Sequence, residues 1–417
     1  MGNAIMDFAA IDPNEAEARI ALGHPIEATP YVWRDPTTLP LRPWVYGRWF
    51  LRGTVACVVA PGGAGKSTML AGTALALVVG QPILGKHVWG GAKRVWLWNL
   101  EDDLDEMSRS IQAAALHHDI DRADLEGRLF VDSGMEGAGL CTATEEAGQF
   151  RLLSPVFDAL IAELLRRGID VLVVDPFVSS HEVDENANSK IDKIAKAWGR
   201  VAKAANCCIV LVHHTSKAGA GEVTALSSRG AVALINAARS TLVINRMSDD
   251  EAGRLGIPDQ ERRRYISVSD DKHNRAPAEK ADWYQLASVD LGNGDDGAPS
   301  DNMAVATPWK LPDPFDNVTV HHLVAVQNAI SAGQWRESAQ SPDWAGKAVA
   351  DVLALNIENK PDKARIQSLL REWISNRALV VVERDDKKRE PRKWIEVGER
   401  ADLAPPAQGG ARQSGAG

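Results

Sequence analysis

From residue 54 to about 291, short apolar runs alternate with amphipathic stretches, and this alternation sets the expected fold. The runs 55–60, 94–100, 129–132, 171–175, 209–213 and 241–245 read as strands. The stretches 69–79, 104–118, 156–167 and 189–205 carry helical spacing between them. Two further runs, 265–269 and 283–288, follow with no helix between them. The pattern predicts an α/β domain with a mainly parallel sheet, helices on both faces and an antiparallel extension at its end.

The pattern changes at GNGDDGAP (292–299), which reads as a solvated linker. Helical spacing returns at 318–332, 344–356 and 364–376, and paired strands are expected at 378–384 and 393–397. Three helices and a charged hairpin suggest a small α+β winged-helix-like domain. The expected organisation is an arm over 1–40, the α/β domain over 41–292, a linker over 293–310, the winged module over 311–398 and a disordered tail over 399–417. Arg42, Trp44, Tyr46, Arg48 and Trp49 cluster before the first strand, where packing is the expected role.

Composition narrows the function classes. With 417 residues, 45% apolar and 25% charged, the chain has ample material for two cores. Its net charge of −9 excludes attraction of nucleic acid by bulk charge, so any such binding must be local. The four cysteines lack metal-ligand spacing and read as buried thiols. With no signal-peptide pattern at the start and no apolar run long enough to span a bilayer, a soluble, cytoplasmic protein is expected.

The chemistry starts at APGGAGKST (60–68), between the first strand and the first helix. Gly62, Gly63 and Gly65 let backbone N–H groups of the loop, with those of Ala64 and Thr68, turn toward phosphate without Cβ clashes. Lys66 reaches the β- and γ-phosphates of ATP, and the Ser67 hydroxyl is a Mg²⁺ ligand. Asp175, at the tip of the run 171–175, is a second metal candidate. Glu101, first of three carboxylates after the strand 94–100, is placed to act as general base, while Asp102 or Asp103 caps the next helix. His213 and His214 end another strand, and alternation lets only one face the nucleotide; His214 is the choice. Arg229, Arg239, Lys272 and Arg275 are isolated basic residues from which an arginine finger can come. The glycine-containing loop 217–228 reads as functional.

APGGAGKST, WNLEDD, VLVVDPF, LVHHTSK and SSRGAVALINAAR, in this order, resemble the RecA-superfamily ATPases of the RepA type, hexameric replicative helicases of plasmids and phages. The resemblance covers about 43–291. It implies Lys66 and Ser67 for phosphate and Mg²⁺, Glu101 as base, Asp175 for metal, His214 as γ-phosphate sensor and Arg239 acting in trans. It further implies a ring, likewise hexameric, moving on single-stranded DNA, with Lys217 facing a central channel. Around Lys272 and Arg275 the sequence departs from the ring-helicase pattern. Outside the resemblance, residues 360–400 hold twelve Lys/Arg against eight Asp/Glu. Lys363, Arg365, Gln367 and Arg371 on one expected helix, with Lys387, Lys388 and Arg389 at the hairpin tip, make duplex DNA a candidate partner. The alternative to a motor is a DNA-binding ATPase switch that does not unwind.

Overall fold

The computed structural model describes residues 28–137, 139–215, 224, 232–273, 275, 280–295, 297–386 and 390–402. The chain divides into two compact units, Met1–Arg246 with Arg263–Lys310, and Met247–Arg262 with Leu311–Gly417.

The first unit opens with a hairpin, β1 (Trp44–Tyr46) and β2 (Phe50–Leu51). Tyr46, Trp49 and Phe50 are buried there and stack edge-on or tilted, so Tyr46 and Trp49 pack as expected, while Trp44 is half-buried and Arg42 and Arg48 are exposed. Then come β3 (Thr54–Pro61), α1 (Lys66–Val79), β4 (Val95–Asn99), α2 (Leu104–His117), α3 (Arg122–Leu125) and β5 (Leu129–Ser133). A second hairpin, β6 (Ala143–Glu146) with β7 (Gln149–Leu152), precedes α4 (Ser154–Arg167) and β8 (Val171–Asp175). After α5 (Asn188–Ala205), β9 (Cys208–Thr215), α6 (Val232–Ala237) and β10 (Ser240–Arg246), the chain leaves the unit. It returns for β11 (Tyr265–His273), β12 (Asp282–Asp290) and β13 (Asn302–Trp309).

One nine-stranded sheet runs β13-β12-β11-β10-β3-β9-β8-β4-β5. Strands β10 to β5 are parallel, and β11, β12 and β13 extend the sheet antiparallel. Both faces are covered, which is why the central strands read as unbroken apolar runs. On β3, Ala56, Val58 and Ala60 join the core under α1 and α2, while Val55, Cys57 and Val59 join the core under α4, α5 and α6. The Cys57 thiol is pushed up to about 12 by burial, in keeping with an inert core role.

The linker expected over 293–310 is instead partly strand: β13 pairs with β12 from Trp283↔Trp309 to Asp290↔Asn302. Pro308 disguises it in the sequence, but on an edge strand a missing N–H costs no ladder bond. Residues 247–262 likewise do not stay with the α/β domain in which they were expected.

Those residues form α7 (Asp249–Leu255) and α8 (Asp259–Arg262) of the second unit. A full capping box starts α7, with Ser248 accepting from the Glu251 N–H and the Glu251 carboxylate accepting from Ser248. The rest of the unit is α9 (Val320–Ser331), β14 (Trp335–Arg336), α10 (Gly346–Leu353), α11 (Lys360–Ser375), β15 (Leu379–Asp385) and β16 (Pro391–Val397). Its three strands run β14-β16-β15, and Val326, Trp344, Leu369 and Trp373 anchor its core. Helix α7 packs on α11 so closely that a Cβ at Gly256 would lie 2.2 Å from Pro361 Cγ. Among the described residues no helix is long and apolar enough to cross a membrane.

Candidate active site

The loop between β3 and α1 leaves backbone N–H groups open at the start of α1, although the Ala64 N–H, expected to face phosphate, donates to the Pro61 carbonyl at 3.2 Å. Gly63 and Gly65 take φ values of 67° and 87°, which side chains disfavour. Gly65 caps α1 without a side-chain hydrogen bond, so the helix's first N–H groups stay available to an anion. Ala64 is buried, while Gly62, Gly63 and Ser67 are exposed and Thr68 is half-buried.

Lys66 is only 6% exposed. Burial lowers its pKa, and the charges of Asp175 and Glu101 oppose that shift. The lysine therefore shares its surroundings with both carboxylates, as a phosphate-binding cation should. Asp175 is itself buried at the tip of β8, where it pairs in register with Asn99 of β4. His214 Nε2 lies 3.3 Å from Asp175 Oδ1. His214 falls on the β9 face shared with Val210 and Val212, the face on which α1 packs. His213 falls on the other face and is 4% exposed; its pKa drops to about 4, chiefly by burial, helped by His214 and Lys66. Alternation thus puts the histidine chosen from the sequence beside the carboxylate chosen from the sequence.

Asn99 organises the acidic turn. Its Oδ1 accepts from the backbone N–H of Glu101 at 2.8 Å and of Asp102 at 2.9 Å, and its Nδ2 donates to Asp102 Oδ2 at 2.7 Å. Ser133 Oγ donates to the Asp102 carbonyl at 2.7 Å. Asp103 is the helix cap, accepting from the Glu106 N–H at 2.7 Å. Glu101 is left exposed, with no side-chain hydrogen bond assigned to it within the described residues. Sequence reasoning missed Asn99, although an Asn between a strand and a run of acids is an Asx-turn signal. Ser67, Asn99, Asp102 and Asp175 line one small cavity floored by Leu70, Leu97 and Val173. The hydroxyl and carboxylate oxygens of Ser67 and Asp175 are hard donors that suit Mg²⁺.

Three expected residues lie elsewhere. Arg239 is exposed, and its N–H donates to the Val55 carbonyl at 2.9 Å, near the start of β3. Six residues of strand separate that point from Pro61, roughly 20 Å from its own phosphate loop. Lys272 Nζ donates to the carbonyls of Ile235 at 2.7 Å and Asn236 at 3.1 Å, capping the end of α6 within its own chain. The Arg275 carbonyl accepts from the Arg42 guanidinium. Lys217, Arg229, Lys387, Lys388 and Arg389 lie outside the described residues, as does most of the loop 217–228. Among the described residues no cluster of His, Cys, Asp and Glu is arranged to hold a metal by itself.

A family model described as an AAA domain matches residues 24–220, slightly under half of the chain. Among solved structures, the RadB recombinase crystal structure is similar at 13% identity and a TM-score of 0.36, covering 57% of this chain and 89% of that one. The phosphate loop ends β3, the acidic tip ends β8, and β9 with its histidine runs between them in a mostly parallel sheet. The protein therefore carries a phosphate-loop α/β core in a mostly parallel sheet, similar over residues 24–220 to an AAA domain.

Proposed function

We propose that the protein is an ATP-driven DNA motor, a ring of identical subunits that hydrolyses ATP at subunit interfaces and moves along single-stranded DNA. The observation that carries the reading is the contact of His214 with Asp175 beside Lys66. It joins the metal-side carboxylate to a strand whose last residue, Thr215, leads directly into the segment containing Lys217.

The phosphate loop and Lys66 hold the triphosphate. Ser67 and Asp175 would hold a Mg²⁺ ion, which when bound would supply positive charge against the terminal phosphates. Glu101 takes a proton from water; the water oxygen bonds to the γ-phosphorus and the β–γ bridge breaks, leaving ADP and phosphate. His214 registers the loss of the γ-phosphate and passes it along β9. Arg239 is too far from its own phosphate loop to serve it, which supports a role at a neighbour's. The ring, its six subunits and the replicative setting come from the RepA-type resemblance.

A second reading, a DNA-binding ATPase switch without unwinding, draws on the second unit. Its three helices and hairpin suit a winged-helix module. Yet Arg365 of α11 is held internally by the Pro314 carbonyl at 2.9 Å, and α7 covers part of the same helix. Gln367 and Arg371 remain exposed. That balance favours the motor.

The test is ATP hydrolysis with and without single-stranded DNA, for the wild type and Arg239→Ala, with mass from light scattering. The motor predicts a ring-sized oligomer with DNA-stimulated turnover that Arg239→Ala abolishes while Mg-ATP binding survives. A monomer whose turnover ignores both DNA and Arg239 would overturn it and leave the switch.

A further inference from the structure

The phosphate loop has two flanks of opposite chemistry. Toward β9, β8 and β4 lie His214, Asp175 and the Asn99-ordered turn bearing Glu101. Toward β10, β11 and β12 lie Arg246, Ile266 and Leu286. Arg246 is the last residue of β10 and pairs in register with Ile266. It shares the face of Leu242 and Ile244, so its side chain projects over the loop from the α1 side. Its guanidinium donates to the Gly63 carbonyl, and a Cβ at Gly63 would sit 3.2 Å from Nη2. Leu286 and Ile266 close the row. Their Cδ1 atoms lie 3.4 Å and 3.6 Å from where a Cβ on Gly65 would stand, and Leu286 is half-buried.

We propose that Arg246 is a nucleotide-positioning residue acting within its own subunit, holding the ribose end of the nucleotide while bracing the loop at Gly63. The inference rests on the ATP reading above and deepens it. Ser67 and Asp175 line one cavity on the first flank, with His214 3.3 Å from Asp175, which makes that flank the terminal-phosphate end. The nucleoside end must then leave over the opposite flank, where a cation stands next to an aliphatic surface. One N–H of the Arg246 fork is committed to Gly63, and a guanidinium has five to offer. The remaining N–H groups of a guanidinium fork suit the ribose hydroxyls, and Leu286 offers the sugar or base an apolar contact. No sequence motif marks Arg246, because the contact depends on β10 lying beside β3.

Calorimetric titration with MgADP and with magnesium pyrophosphate tests this on the wild type, Arg246→Gln and Arg246→Lys. Pyrophosphate fills the loop but has no nucleoside end. Loss of a charge-assisted contact should weaken MgADP ten- to hundred-fold in Arg246→Gln. Pyrophosphate should weaken less than about two-fold, and Arg246→Lys should recover part of the ADP loss. Equal weakening of both ligands would reduce Arg246 to a loop brace and overturn the proposal, as would unchanged MgADP binding. A wild type that binds neither ligand overturns the ATP reading itself, and this inference with it.

Discussion

The phosphate-loop unit and the second unit use their charges in opposite ways. In the core, residues far apart in sequence converge: Lys66, Glu101, Asp175 and His214 come from four segments and meet at the strand ends beside one loop. In the second unit the described charges mostly satisfy one another locally. Arg336 pairs with Asp386, and Arg384 with Glu396, while Arg392 pairs with Glu390 and Arg365 donates to backbone carbonyls. Arg336 also stacks on Trp394 at 4.0 Å from the ring centroid. A basic excess counted along 360–400 therefore overstates the charge on offer to DNA. What counts for function is convergence on a common point, and in the core that point is the phosphate loop.

Breaking the convergence should give the largest effect. Glu101→Gln keeps the Asn99 turn, which is held through backbone N–H groups, yet removes the proton acceptor. Hydrolysis should fall by about 10²- to 10⁴-fold while Mg-ATP binding stays within about two-fold, measured by phosphate release and calorimetry. Near-wild-type turnover would move the base to another residue.

Acid should act next, and on the core. His181 and His213 are buried and both drop to about 4, against an ordinary 6.5, mainly through burial. The charged form is disfavoured only in the folded state, so stability is complete above pH 6.5 and declines as pH falls toward 4. The loss should reach about 2 kcal/mol per histidine by pH 5. Hydrogen exchange of the β9 amides at pH 7 and 5, corrected for intrinsic rates, reads this directly. The histidines of the second unit, His321 and His322, are exposed and half-buried and give no comparable burial. Equal protection of β9 at both pH values would contradict the assignment.

The smallest effect separates structure from binding within the second unit. Arg365→Ala should lower its stability by about 1–2 kcal/mol, since charged donors to the carbonyls of Pro314 and Asp316 are lost. Arg371→Ala, on the exposed face of α11, should leave urea unfolding within about 0.5 kcal/mol. The reverse order would make Arg371 the structural residue and free Arg365 for a ligand.

Much of the core was legible because its signals are local. The glycine loop needs its φ values in sequence order, and alternation alone separated His213 from His214 by face. Asp175 followed from a strand tip beside a phosphate loop. The strand β13 was hidden by Pro308, which only an edge position tolerates. Asp103 as cap, and Asn99 as the clamp on Glu101, were resolved by geometry because three acids in a row offer the helix several equivalent starts.

By itself, then, the sequence determined the strand–loop–helix order around the glycine loop, the mainly parallel sheet and the acidic strand ends beside that loop, each encoded within about ten neighbouring residues. Only the tertiary structure decided that Arg246 braces Gly63, that Lys272 caps α6, and that 247–262 packs with the C-terminal helices. Those contacts join residues tens to hundreds of positions apart, and side-chain reach across a sheet or onto another helix leaves no periodic trace in the chain.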